Sequence, residues 1–161
     1  MPSFLERETI HLEHHFEAPV SKVWEAFTQP DLMKEWMWGS LSKETWAEGD
    51  LRVGGAFRVY TKREGGKHRG EGWSGMCGLY ALIQPEAKLV YTLQWDGDVG
   101  YNQGGAQALD EIIAVNFHTD GDGSRIDYYH LGIPADGRSA GGHQEGTLHT
   151  LKTLDTLLRQ G

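Results

Sequence analysis

Residues 142–160 read Gly142-HQEGTLHTLKTLDTLLR-Gln160. Leu148, Leu151, Leu154 and Leu158 recur at three- and four-residue steps, and Leu157 widens the stripe. That is helical period, with the leucines on one side and His149, Lys152, Thr156 and Arg159 on the other. His143 and Thr147 fall on the apolar side, two turns and one turn before Leu151. A stripe this wide has to be buried against something broad. Most of the preceding chain alternates with period two. The expectation is therefore an α+β fold in which a curved antiparallel sheet wraps around one long C-terminal helix.

A chain of 161 residues is most simply one domain, here residues 1–161, and is long enough for a proper core. Apolar residues make 39% and the 22 glycines are dispersed between periodic segments, which argues against disorder. The formal charge of −8 argues against nucleic acid or an anionic membrane as partner. Cys77 is the sole cysteine, so no internal disulfide can form, in keeping with a reducing cytoplasm. No apolar run approaches a membrane span, and acidic residues Glu6, Glu8 and Glu13 precede any apolar run, unlike a signal peptide.

In chain order, Thr9–Glu17 alternates as a strand, with Ile10, Leu12, His14 and Phe16 on the core face. His11, Glu13 and His15 share the other face; they could converge loosely on a metal, but a solvated polar face is preferred. Pro19 opens a short helix whose apolar side is Val20, Val23, Trp24 and Phe27. Asp31 is expected to cap a second short helix, Leu32–Trp36. Trp36, Met37 and Trp38 leave it and read as core or as a pocket wall.

Beyond Leu51, the Gly54-Gly55 pair suits a turn or bulge, followed by Phe57, Val59 and Thr61 opposite Arg58 and Tyr60. Arg63–Gly70 is a charged turn. Gly72–Ile83 is a strand weakened or bent by Gly75 and Gly78, and Leu89–Trp95 follows with Leu89, Tyr91, Leu93 and Trp95 on one face. Asp96–Gln107 reads as a glycine-rich loop, with Tyr101 its only aromatic. Glu111–Thr119 and Arg125–Ile133 form a hairpin over Asp120-Gly-Asp-Gly, with Ile113, Val115 and Phe117 facing inward and Ile126, Tyr128 and His130 alternating.

Catalytic signatures are thin: no nucleophile elbow, no His-Glu-x-x-His, no Cys-x-x-Cys, no phosphate loop and no EF-hand spacing. Cys77 reads as a small strand residue. No catalytic residue, metal-ligand set or cofactor is assigned. Aromatics and histidines do accumulate on inward faces. Trp36, Phe57, Trp73, Tyr91, Trp95, Phe117, Tyr128, His130, His143 and Thr147 are the candidate ligand-binding residues. Rings with a few polar tips are what small-molecule cavities use, although rings also simply fill cores.

Phe16-Glu-Ala-Pro-Val-Ser-Lys-Val-Trp24-Glu-Ala-Phe-Thr-Gln-Pro30-Asp-Leu-Met-Lys-Glu-Trp36 resembles the opening of the domain family named after the Hsp90 ATPase activator. That family sits in the START-like, or SRPBCC, superfamily. Asp50-Leu-Arg-Val-Gly54-Gly55, Gly78-Leu-Tyr, Leu89-Val-Tyr-Thr-Leu-Gln-Trp95 and Glu145-Gly146 continue the resemblance in order. The tryptophan usual after Glu-Gly is Thr147 here, and the proline usual before Gly-Gly is Val53.

The resemblance implies a helix-grip fold, often built around a cavity for lipophilic molecules; some relatives are cyclases or hydratases. It therefore implies a small lipophilic ligand as partner. Two alternatives stand beside that. One is a polyketide-cyclase-like enzyme with His130 or His143 as the proton-transfer group; the other is a chaperone-associated interaction module. The resemblance covers one START-like domain, whereas the full activator has a further N-terminal domain, so the chain is not expected to stimulate Hsp90 by itself. A homodimer through an exposed strand edge is a further expectation.

Overall fold

Alternation sets the strands and the leucine stripe sets the helix. In the computed structural model, which describes residues 6–38, 44–62, 73–96 and 111–160, they assemble around a shared inner face. Strand β1 (Arg7–Phe16) leads into two short helices, α1 (Val20–Thr28) and α2 (Pro30–Trp36). Then come β2 (Thr45–Gly49), β3 (Ala56–Lys62), β4 (Trp73–Gln84), β5 (Lys88–Thr92), β6 (Gln94–Asp96), β7 (Ile112–Asp120), β8 (Gly123–Pro134) and the long helix α3 (Ser139–Gln160). The strands form one antiparallel sheet in the order β1-β8-β7-β5-β4-β3-β2, with β6 alongside β4. Among the described residues no helix is long and apolar enough to cross a membrane.

The grip is made where the stripe is strongest. Leu151 and Leu154 are fully buried, and Leu148, Leu157 and Leu158 pack partly buried against the same core. From the sheet, Phe16, Leu89, Ile113, Val115, Phe117 and Ile126 meet them, all on the inward parity of their strands. At the other end, Phe27 packs on Trp36 and edge-on to Phe117, and the Trp36 indole donates to the Ala26 carbonyl at 2.8 Å. That bond fastens α2 to α1.

Local differences from the sequence reading have simple causes. Pro30, not Leu32, begins α2, because proline's fixed φ suits the first helical position. Asp31 consequently lies inside the first turn and makes no capping bond. The Leu89–Trp95 stretch divides into β5 and β6 at Leu93, whose N–H turns away to donate to the Glu111 carbonyl at 3.0 Å. Strand β2 carries no clear alternation, so it escaped the sequence reading. Tyr60 does face away from Phe57 and Val59, yet it is buried: Trp46 on β2 stacks on it at 4.7 Å.

On the outer face of β1, His11 and His15 do not converge. His11 stacks on Tyr129 and lies 3.5 Å from Asp127, while His15 bonds Asp120 at 3.0 Å. His14, on the inner parity, reaches Asp155 of α3 at 3.3 Å. The charged turn 63–70 and the glycine-rich stretch 97–107 lie outside the described residues.

Candidate functional site

The leucine stripe does not run the full length of α3. Its first turns carry Gly141, Gly142 and Gly146, and a Cβ built on any of them would meet nothing within 4 Å. Gly142 and Gly146 border a cavity of about 680 Å³, bounded by the first half of α3, the end of α2 and the inner face of the sheet.

Its walls are aromatic and aliphatic: Trp36, Met37, Trp38, Met76, Tyr91, Leu93, Trp95 and Ile113. The indole N–H of Trp38 donates to the Val59 carbonyl at 3.0 Å, so this ring is anchored by its polar edge and offers carbon surface to the cavity. Trp95 meets Trp38 edge-on at 5.9 Å and stacks on His143 at 5.8 Å.

The sheet and α3 both contribute polar groups. Tyr91 and Thr147 both hydrogen-bond the Tyr128 hydroxyl. Burial pushes both phenols well above their ordinary value, so both remain protonated at neutral pH. Beside them stands a constellation of three residues, two buried and His143 partly so. Glu111 immediately precedes β7, His130 is on β8 and His143 is in the second turn of α3. His130 Nε2 lies 2.8 Å from Glu111 Oε1, and His143 Nε2 lies 3.7 Å from the same oxygen. The two imidazole centroids are 4.5 Å apart. Glu111 and His130 are almost wholly buried. Burial, and next the neighbouring His130, push His143 down to about 4, with Asp136 opposing, so its ring is neutral at pH 7.

Of the candidate residues, Trp36, Tyr91, Trp95, Tyr128, His130, His143 and Thr147 line this one cavity. Phe57 and Phe117 do not. Phe57 is buried edge-on to Tyr91 at 5.0 Å, and Phe117 packs against Trp24 and Phe27. The side chain of Trp73 lies outside the described residues. Glu111 was missed, although its position carries a signal: it shares parity with Ile113, Val115 and Phe117, which makes it an acid on an inward face. Met37 and Trp38, readable from the sequence as core or as a pocket wall, lie in the wall; Met76 was missed, since a methionine in a glycine-rich strand looks like ordinary core.

An open antiparallel sheet gripping a C-terminal helix, with two short helices after the first strand and a cavity under the long one, defines the helix-grip, SRPBCC-like class. Within it, the chain belongs to the family described as Activator of Hsp90 ATPase homolog 1-like protein, whose model matches residues 17–159. Solved structures agree on the fold. A protein from Rhizobium leguminosarum superposes with a TM-score of 0.73 at 23% identity, covering 97% of each chain. Protein CV1439 from Chromobacterium violaceum gives 0.71 at 22% identity, covering 93% of this chain and 96% of its own. CalU16 from Micromonospora echinospora gives 0.65 at 20% identity, covering 97% of this chain and 79% of its own. Among curated proteins, none matches this chain.

Proposed function

We propose that this protein binds one small, largely apolar molecule between the sheet and the first half of α3. The observation that carries the reading is the cavity: about 680 Å³, walled by indole, phenol and aliphatic surface, with a few hydroxyls and imidazoles from the sheet and α3. That volume lies within the roughly 300–1,000 Å³ typical of small-molecule sites, and the mix of apolar wall with few polar tips matches their usual chemistry. An aromatic or polycyclic body would lie against Trp36, Trp38 and Trp95, with a hydroxyl or carbonyl directed at Tyr128, Thr147 or His143.

One observation favours a second reading, an enzyme of the polyketide-cyclase type in the same cavity. Glu111 and His130 form a buried hydrogen-bonded pair beside His143, the arrangement by which a carboxylate orients an imidazole for proton transfer. Self-association through a sheet edge would add a second copy as partner; light scattering distinguishes a dimer from the 18.0 kDa monomer.

The test is titration of purified protein with an environment-sensitive lipophilic dye such as anilinonaphthalene sulfonate, together with Thr147→Trp. Dye binding by the parent, with at least a roughly tenfold weaker affinity in Thr147→Trp, supports the reading; an indole there fills the site at the cost of a hydrogen bond to Tyr128. No binding by the parent across a panel of lipophilic dyes, or equal affinities for the two proteins, overturns it.

A further inference from the structure

We infer that Glu111, His130 and His143 form a three-ligand site for a divalent first-row transition-metal ion of the zinc class, open toward the cavity. Each of the three residues offers one ligand atom, Oε1 or Nε2, and these atoms all lie within 4.8 Å of one another. Two imidazole nitrogens with one carboxylate oxygen is a donor set that zinc uses in sites that keep a fourth position for water or substrate. Metal–ligand bonds of about 2.0–2.1 Å at tetrahedral angles place neighbouring donors about 3.3 Å apart. The measured separations from Glu111 Oε1, 2.8 Å to His130 and 3.7 Å to His143, bracket that spacing. The two histidines' ligand atoms lie within 4.8 Å of each other, so a cation enters as the side chains close that third edge, replacing a proton between Glu111 and His130.

Placement supports the same conclusion. The Glu111 carboxylate, only 3% exposed, is held by His130 at 2.8 Å, and a bound cation would compensate its charge further. Two ligands come from the sheet: Glu111, anchored through its carbonyl to Leu93, and His130, paired on both sides within β8. The third comes from the helix, so a bound ion ties α3 to the sheet at the end where the leucine stripe is absent. His130 and His143 also line the cavity, with Thr147, so an oxygen of a molecule bound there is the candidate for the remaining coordination position.

The outer face supplies a built-in control. His11 and His118 flank Asp127 at 3.5 and 3.0 Å, with Arg125 3.8 Å from the same carboxylate. These rings are substantially exposed and would account for any adventitious metal uptake.

The experiment uses the full chain, freed of metal by chelation, titrated with zinc by calorimetry and with cobalt by visible absorption, without any organic ligand. The expected result is one ion per chain, a d–d spectrum of four- or five-coordinate cobalt, and a melting temperature raised by zinc. His143→Ala should weaken binding at least about tenfold, as should Glu111→Gln. The surface double variant His11→Ala/His118→Ala should bind like the parent. His143→Ala is the decisive variant because its ring lies at the cavity edge rather than in the sheet, and circular dichroism checks its fold. Absence of stoichiometric binding, or binding that survives His143→Ala and is lost in the surface variant, overturns the inference. Dye binding is measured separately on metal-free protein, so failure of the metal site and failure of the ligand reading give different results.

Discussion

The ring of Tyr60 on β3 occupies the space that a Cβ on Gly75, its cross-strand partner on β4, would need. The tyrosine is sandwiched between that bare backbone and the indole of Trp46. Gly75 is thus a packing surface as much as a flexible point in the strand. Gly75→Ala should destabilise the protein by about 1–3 kcal/mol, the usual cost of forcing a methyl group into an occupied space. Combining it with Tyr60→Ala should cost less than the sum of the two single changes, because the clash disappears with the ring. Denaturant unfolding of the four proteins measures the coupling; strict additivity would contradict the contact.

Leu151 lies at the centre of the grip and is inaccessible to solvent. Leu151→Asp should cost several kcal/mol, comparable with a total stability of about 5–15 kcal/mol, and leave the chain largely unfolded. Leu154→Ala should cost about 2–5 kcal/mol through the cavity it opens. Thermal unfolding followed by circular dichroism checks both.

Gly146 lies inside α3 with open space where a Cβ would stand. Gly146→Ala should therefore stabilise the protein by about 0.5–1 kcal/mol, since alanine loses less backbone entropy on forming helix. For a chain of this size that is a rise of about 1–4 °C in Tm. A fall in Tm would show that the methyl meets a neighbour.

Asp136 governs the entry to α3. Its carboxylate accepts the backbone N–H groups of Arg138 and Ser139 and the hydroxyl of Ser139, at 2.7–2.8 Å. Those bonds, the Ser139 hydroxyl first, hold its carboxyl well below the usual carboxylate range. Because the folded-state value is depressed, the stabilisation is complete above the unfolded value near 3.8 and drains away as pH falls below it. Asp136→Ala should lower Tm at pH 7, and the difference from the parent should shrink on acidification below about pH 4. A difference independent of pH down to about 2 would exclude the charged cap.

Much of this architecture is readable from the chain alone, because its periods are set by backbone geometry. Alternation along β1, β7 and β8 assigns Leu12, Ile113, Val115 and Ile126 to the core without reference to anything distant. The three- and four-residue leucine spacing does the same for α3. Those periods also bring most of the cavity wall to the inward faces. What they cannot express is distance between elements. Glu111, His130 and His143 are separated by 19 and 13 residues, and only the closure of β7 on β8 with α3 laid across them brings their polar atoms within 4.8 Å of one another. Likewise, whether an aromatic fills the core or walls a cavity depends on what opposes it. Phe117 meets Trp24 and Phe27 and is sealed, whereas Tyr128 faces the glycine-bearing half of α3 and borders open space. Local sequence sets the direction of each side chain; the packing of distant elements decides what that side chain meets.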